Sequence, residues 1–439
     1  MKKLSVFLTA LFFVTMLLSG CSVENTNNNS MYAESTSNNS STSRQENTLQ
    51  NKSTLPANDN IIAGNHTLSE TSTSTQPNTA AIKIETQQEF RGIWLAIYEL
   101  SPSRKSMTEK EYRKKIDSIM ENLLTIGVTD VFAQVRANCD SIYPSNYFKP
   151  YSPFEKDGSL IFDALKIIVS SAHDHGIKIH AWINPYRISA KDGVRDDDKI
   201  FNSVGKSDIY TSGNKAYLKP VSDNAKKLVL NGVREILTYG VDGIHIDDYF
   251  YPTGDKKIDA DEYSAYKNAG GSLPLDDWRR SNVSSLVSSI YSLVKSSDSN
   301  RIFSISPGGD IEKNCNNLYA DVKLWCSTPG YTDMIIPQIY FGFENDHQPF
   351  KRCLDSWKSI VTCDNVKLAV GLAAYKADSQ DDYAGKGKNE WKQSNDIIKR
   401  QVEYLREKNC NGFVLFSYHY VFVDNNLINS EMQNLKTVL

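Results

Sequence analysis

From Phe90 onward, short apolar runs alternate with stretches whose apolar residues recur at helical spacing. The runs cover 90–98, 130–136, 178–185, 243–250, 302–307, 333–341, 367–375 and 412–419. Helix-like segments lie between them at about 109–126, 161–175, 222–239, 276–296, 316–325, 348–360 and 391–408. Strands that alternate with helices predict a parallel sheet. Eight such units predict an α/β chain, a (β/α)8 TIM barrel with long βα loops over 88–439. A doubly wound open sheet is the competing architecture, but it carries a glycine-rich phosphate loop after its first strand. Phe90-Arg91-Gly92-Ile93-Trp94-Leu95 and the residues after it contain none.

The amino end has a different pattern. Lys2-Lys3 precede an apolar run from Leu4 to Leu18, too short for a comfortable membrane span. A basic start, a greasy segment and then small residues predict a secretory signal over 1–20. Leu18-Ser19-Gly20-Cys21 resembles a bacterial lipobox, which implies that Cys21 becomes the lipidated first residue of the mature chain. A plain signal peptide with a nearby unpaired cysteine is the alternative. Residues 21–87 are dominated by Ser, Thr and Asn and cannot bury enough apolar surface to offset their ordering entropy. They predict a disordered tether, and with it a lipoprotein held outside the cytoplasm at the cell membrane.

Composition narrows the partners. Lys plus Arg number 49 against 52 for Asp plus Glu, a net charge of −3. No cationic field results, so nucleic acid is excluded as an expected partner. The proportions, 40% hydrophobic and 23% charged, are those of a globular chain rather than a collagen-like, fully disordered or multi-span one. Cys139, Cys315, Cys326, Cys353, Cys363 and Cys410 match no zinc-site spacing, and neither a metal nor a cofactor is expected. Cys315/Cys326 and Cys353/Cys363 are near enough in sequence to form disulfides in an exported domain, with free thiols the equal alternative.

Strand parity points to a site. Side chains two apart share one face, which groups Gln134, Arg136 and Asn138 in the second strand. The same rule groups His180, Trp182 and Asn184 in the third, and His245, Asp247 and Tyr249 in the fourth. Gln338 and Tyr340 share a face in the sixth, and Ser417 and His419 in the eighth. Each set grows more polar toward the carboxyl end of its strand, the rim where barrel active sites form. One polar residue in a strand is usually a satisfied core group. Five strands with the same gradient predict a polar pocket, because each buried polar atom needs a partner.

The carboxylates narrow the chemistry. Asp247 and Asp248, in Val241-Asp242-Gly243-Ile244-His245-Ile246-Asp247-Asp248-Tyr249-Phe250-Tyr251-Pro252, suit glycoside hydrolysis. There, one carboxylate stabilises or attacks the sugar cation while a second carboxyl protonates the leaving oxygen. Neighbours on one strand point to opposite faces, so the second acid is sought on another strand. Glu344 has the parity of Gln338 and Tyr340 if that strand extends; Asp310, Glu99 and Asp346 are its rivals, and a solvated loop charge is the plainer reading. Asn138, Trp182, Asn184, Tyr186, His245, Tyr249, Tyr251, Gln338, Tyr340 and His419 are read as substrate-binding. Many of these are aromatic, and flat rings stack on sugar faces. Arg136 has the planar fork to pair with a substrate carboxylate such as a lactyl group, or else with a rim aspartate.

Phe90-Arg91-Gly92-Ile93-Trp94-Leu95, the fourth-strand segment, Phe303-Ser304-Ile305-Ser306-Pro307 and Pro337-Gln338-Ile339-Tyr340 resemble the glycosyl-hydrolase-like 10 family of bacterial lipoproteins. That resemblance implies a barrel catalytic domain and a glycosidase of cell-wall glycan, acting on peptidoglycan strands that lack stem peptides. The fourth strand also resembles the chitinase motif of spaced acids. Aligned on Asp242-Gly243-Ile244, however, it has His245 and Tyr249 where that motif has acids, and so lacks the chitinase proton donor. Two other readings stand beside the enzyme: a non-catalytic glycan-binding lipoprotein, and a hydrolase of another polysaccharide. A metal-dependent deacetylase is disfavoured, because no His-x-x-x-His pair accompanies an aspartate among the strand-end residues.

Overall fold

The computed structural model describes residues 89–439, apart from 190–192, 195, 197, 253–254, 256 and 423–425. Cys21, the signal segment and nearly all of the tether lie outside the described residues. Eight parallel strands close into a barrel in chain order, the last hydrogen-bonded to the first. They are β1 (Phe90–Leu95), β2 (Asp130–Arg136), β3 (Lys178–Ile183) and β4 (Gly243–Ile246), then β5 (Ile302–Ile305), β6 (Met334–Ile335), β7 (Lys367–Leu372) and β8 (Gly412–Leu415). The fold is a (β/α)8 TIM barrel.

Helices cover the outside: α1 (Glu109–Leu124), α2 (Ala164–Asp174), α3 (Asp223–Leu237), α4 (Leu275–Ser297), α5 (Val322–Ser327), α6 (Phe350–Ile360), α7 (Ile397–Glu407) and α8 (Asn426–Lys436). α1 shows why they form. Its Thr108 hydroxyl accepts from Glu111 N–H, and the Glu111 carboxylate accepts from Thr108 N–H, a reciprocal cap. Tyr112, Ile116, Ile119, Met120 and Leu123 then make one buried stripe at helical spacing against the barrel.

Inside the barrel, Trp94, Phe132, Trp182, Met334, Ala369 and Val414 form an apolar layer. Below it His180 Nε2 lies 2.9 Å from Asp130, with the Phe132 ring stacked on the imidazole at 4.8 Å. The close approach demands glycine at 243, where a Cβ would stand 2.3 Å from His180 Nδ1 and 2.4 Å from the Ile302 carbonyl. The barrel interior is therefore a packed core rather than a pore.

Three expectations change in detail. The sixth strand shrinks to Met334–Ile335 because Pro337 has no N–H for the ladder. The helix expected over 316–325 is instead two short ones, Ile311–Asn317 and α5, capped separately by Asp310 and Asp321. α7 starts at Ile397 rather than 391, after Ser394 ends a separate turn over Glu390–Gln393. Beyond β3 the chain adds an antiparallel sheet of Arg187–Ser189, Ile209–Ser212 and Lys215–Leu218 to the rim. Among the described residues, all six cysteines are free thiols, the second of the two alternatives left open for them.

Candidate active site

β4 builds the centre. Ile244 and Ile246 pack outward into the main core, which turns His245 and Asp247 inward. Trp94 Nε1–H donates to His245 Nε2 at 3.1 Å. An indole nitrogen can only donate, so Nε2 carries no proton, and Nδ1–H donates to the Ser304 hydroxyl at 2.8 Å. Burial holds the imidazole well below its ordinary pKa, with His180 adding to the effect, and the ring is neutral. His245 is fully buried and supports the floor; it has no surface to offer a substrate.

Asp247 rests on that floor, 3% exposed. Its Oδ2 accepts from Asn184 Nδ2 at 2.5 Å and from Trp182 Nε1 at 3.0 Å, and its Oδ1 accepts from Tyr249 N–H at 3.2 Å. The amide orientations follow from the chain of bonds. Ile97 N–H donates to Gln134 Oε1 at 3.0 Å, so Gln134 Nε2 faces Asn184 Oδ1 at 2.8 Å, and Asn184 Nδ2 is left for Asp247. One relay thus runs across the first four strands and ends on the carboxylate.

Both adjacent acids titrate high. Burial raises Asp247 to about 7, with the neighbouring Asp248 charge adding; Arg187, Tyr249 N–H and Trp182 act the other way. Burial raises Asp248 to about 6 against a backbone bond, the Gln338 side chain and Arg187. Two carboxyls this close lose their protons as a pair. At neutral pH the pair holds protons that isolated aspartates would have released.

Arg187 is the functional candidate that the sequence reading passed over. Its Nε donates to the Ala137 carbonyl at 2.9 Å, and its guanidinium lies over the Tyr249 ring at 4.5 Å. It is the cation that pulls down Asp247 and Asp248, and it adds to the stronger effect of Lys149 on Asp140. The cue was its place directly after Asn184-Pro185-Tyr186 at the end of β3. On the far side, Tyr340 meets Tyr375 at 5.6 Å and Phe416 at 5.9 Å, and Tyr375 meets Tyr420 at 6.0 Å. Half-buried Tyr340 and Tyr249 both lie within electrostatic reach of the acids. Gln338 Nε2 donates to the Ser306 carbonyl at 3.0 Å.

Several expected residues sit elsewhere. Arg136 faces outward: the β2–β3 register passes from Gln134↔Trp182 to Arg136↔Ile183, so Val135 forms a bulge and the side chain changes face. Its guanidinium is buried against Gly232 of α3 and stacks on Phe148 at 4.4 Å. Tyr251 donates to Asp259, which Arg279 also holds, in a buried polar cluster under the β4 loop. Tyr186 is buried as well. Asn138 acts on the neighbouring Asp140 carboxyl, holding its pKa down, rather than on the acid pair.

Glu344 does not join the pair. Beyond Pro337 the chain is no longer a strand, and Glu344 is exposed in a turn whose Phe343 and Glu344 N–H groups donate to Glu390 at 2.9 and 3.0 Å. Its rivals are committed too. Asp310 caps a helix and accepts from Gln348 at 3.0 Å, and Asp346 accepts from Lys386 N–H at 2.9 Å. Glu99 accepts from Ala96 N–H, Ser417 Oγ and His419 N–H at 2.5, 2.8 and 2.6 Å, while burial raises it to about 7. His419 itself is exposed and offers its backbone, not its ring, to this link.

A rim of buried carboxyls and tyrosines on a TIM barrel now meets the comparisons. The family described as "Glycosyl hydrolase-like 10" matches residues 89–387. The chain belongs to that family. "Glycosyl hydrolase YngK" of Bacillus subtilis (strain 168) is 29% identical over 327 residues, 68% of this chain and 63% of that protein. The match therefore spans less than two thirds of YngK. "Glycosyl hydrolase DigH" of Escherichia coli (strain K12) is 27% identical over 334 residues, 66% of this chain and 74% of DigH. The glycoside hydrolase domain of PgaB (BpsB) from Bordetella bronchiseptica aligns at a TM-score of 0.52 and 11% identity, over 79% of this chain and 99% of that one. That likeness concerns the fold.

Proposed function

We propose that this member of the glycosyl hydrolase-like 10 family is a glycosidase of bacterial cell-wall glycan, with Asp247 and Asp248 at its reacting centre. The observation that carries this reading is Asp247, buried at the barrel rim, aimed by Trp182 and Asn184, and paired with a second carboxyl. A fixed carboxylate next to the anomeric carbon stabilises the sugar cation or bonds to it as the glycosidic bond breaks. Tyr249 and Tyr340 border the acids and supply faces for sugar rings. Half-buried Gln338, on Asp248, supplies polar contact. The names of YngK and DigH, both glycosyl hydrolases, support the class.

The wall as substrate fits the amino end, where Cys21 and the polar stretch over 21–87 make a lipid-anchored tether that places the barrel outside the cytoplasmic membrane. Loss of palmitate labelling in Cys21→Ala tests the anchor; undiminished labelling refutes it. For the activity, the purified chain is incubated with peptide-free glycan strands, intact peptidoglycan and a panel of other polysaccharides. New reducing ends on the peptide-free strands are the expected result, and cleavage of a different polysaccharide alone would move the substrate. A second reading, a glycan-binding protein without catalysis, draws on the place of Glu344, away from the pair. Binding of strands with no new ends would favour it.

A further inference from the structure

With Arg136 turned outward, Arg187 is the arginine that stands beside the acid pair. It opens the short antiparallel sheet beyond β3, where its backbone pairs with Tyr217 and the next residue, Ile188, is buried in the core. Neighbours along a strand alternate faces, so Arg187 lies on the side opposite that apolar anchor. The base of the side chain is therefore fixed by the sheet.

The guanidinium is fixed as well. Its Nε–H donates to the Ala137 carbonyl at 2.9 Å, and it lies over the Tyr249 ring at 4.5 Å. Tyr249 in turn gives its N–H to Asp247 Oδ1 at 3.2 Å, so one residue bridges the cation and the carboxylate of the reacting centre. Arg187 and Tyr249 are both half-buried and keep surface for a ligand. Among the described residues Arg187 forms no ion pair with a carboxylate, and its contacts use a minority of the guanidinium's N–H donors. Other cations near the strand ends are already engaged. Lys149 pairs with Asp198 at 2.5 Å, Lys376 pairs with Asp381 at 2.6 Å, and Lys115 donates to the Glu99 and Ser101 carbonyls at 2.7 and 2.6 Å.

An arginine held in this way presents a preorganised fork that matches a carboxylate. Wall glycan offers such a group in the lactyl substituent of muramic acid, which a stem peptide caps as an amide. We propose that Arg187 binds the free lactyl carboxylate of a muramic acid residue at the reacting centre and so selects strands that lack stem peptides. The inference rests on the glycosidase reading above for its substrate. Charge is the discriminating feature, because a capped lactyl group has no negative charge to give and leaves the guanidinium without its partner.

Arg187 also acts on the acid pair, so the readout is a ratio between two substrates rather than one rate. Peptide-free strands are compared with the same strands after their lactyl carboxyls are capped as methylamides, which removes the charge and adds little bulk. In the wild type kcat/KM should favour the free strands by about 10- to 100-fold, the range of a hydrogen bond to a charged group, with most of the difference in KM. In Arg187→Gln that ratio should fall to within about twofold of one. A wild type indifferent to capping overturns the proposal without any variant. So does an Arg187→Gln chain that loses activity equally on both substrates and keeps the wild-type ratio. Dissociation constants for both kinds of strand are measured on the same preparations. If the wild type cleaves neither, the glycosidase reading fails, and the binding ratio decides the role of Arg187. A preference for free strands that Arg187→Gln abolishes supports that role, and equal binding of the two overturns it.

Discussion

Asn184→Leu tests the amide relay most sharply. Leucine has a similar volume, so the change removes hydrogen bonds without opening a large hole. Asp247 loses the donor at 2.5 Å, and Gln134 Nε2 loses the acceptor at 2.8 Å. A hydrogen bond to a charged group contributes about 1.5–3 kcal/mol, and about 1.4 kcal/mol corresponds to one pKa unit. The acid pair should therefore titrate about 1–2 units higher than in the wild type, where burial has already placed Asp247 at about 7. The stranded Gln134 donor lowers stability by a further ~1–3 kcal/mol. The assay is the pH profile of kcat/KM on glycan strands, read beside a thermal melt. A carboxylate that must be ionised gives an acid limb, and this limb should move to higher pH while activity at high pH recovers. A lower melting temperature with an unmoved limb would refute the reasoning, because the relay would then brace the fold without tuning Asp247.

Other consequences follow from the same contacts. Glu99, Asp140, Asp247, Asp248 and Glu431 are all raised, to about 7, 6, 7, 6 and 7. Because their folded values exceed the ordinary ~4, the folded chain binds more protons between about pH 4 and 7, and stability falls as pH rises through that window. The melting temperature should be higher at pH 5 than at pH 8, and a flat or rising trend contradicts this. Gly232→Ala forces a Cβ to 2.2 Å from Arg136 and 2.5 Å from the Phe148 ring, so a melt should register a loss of about 1–3 kcal/mol. Unchanged stability would mean that Arg136 is not wedged there. Glu344→Gln should keep the rate of strand cleavage within about twofold, since its carboxyl faces solvent beside Glu390. A hundredfold loss would return Glu344 to the reacting centre.

The barrel was legible because each strand is a dense apolar run between amphipathic helices, and that alternation survives without knowledge of any loop. Parity placed Trp182, Asn184 and Asp247 on one face, where they bond to one another. The same rule failed at Arg136, since a bulge at Val135 reverses the face and leaves no mark in the residue pattern. It failed at Glu344 because counting by twos assumes a strand, and Pro337 interrupts the ladder. Arg187 was invisible for a third reason. Its seat between the Ala137 carbonyl and the Tyr249 ring depends on how rim loops fold toward each other, a long-range matter that no local period encodes. α8 was missed even though Met432 and Leu435 lie three apart on its buried side.

The most direct test of catalysis at the fourth strand is single-turnover cleavage of peptide-free glycan strands by Asp247→Asn, with strand affinity measured on the same preparation. The account predicts strand binding within several-fold of wild type and a rate of new reducing ends lower by three or more orders of magnitude, a barrier increase of about 4 kcal/mol. A variant that binds and cleaves as fast as the wild type would contradict it.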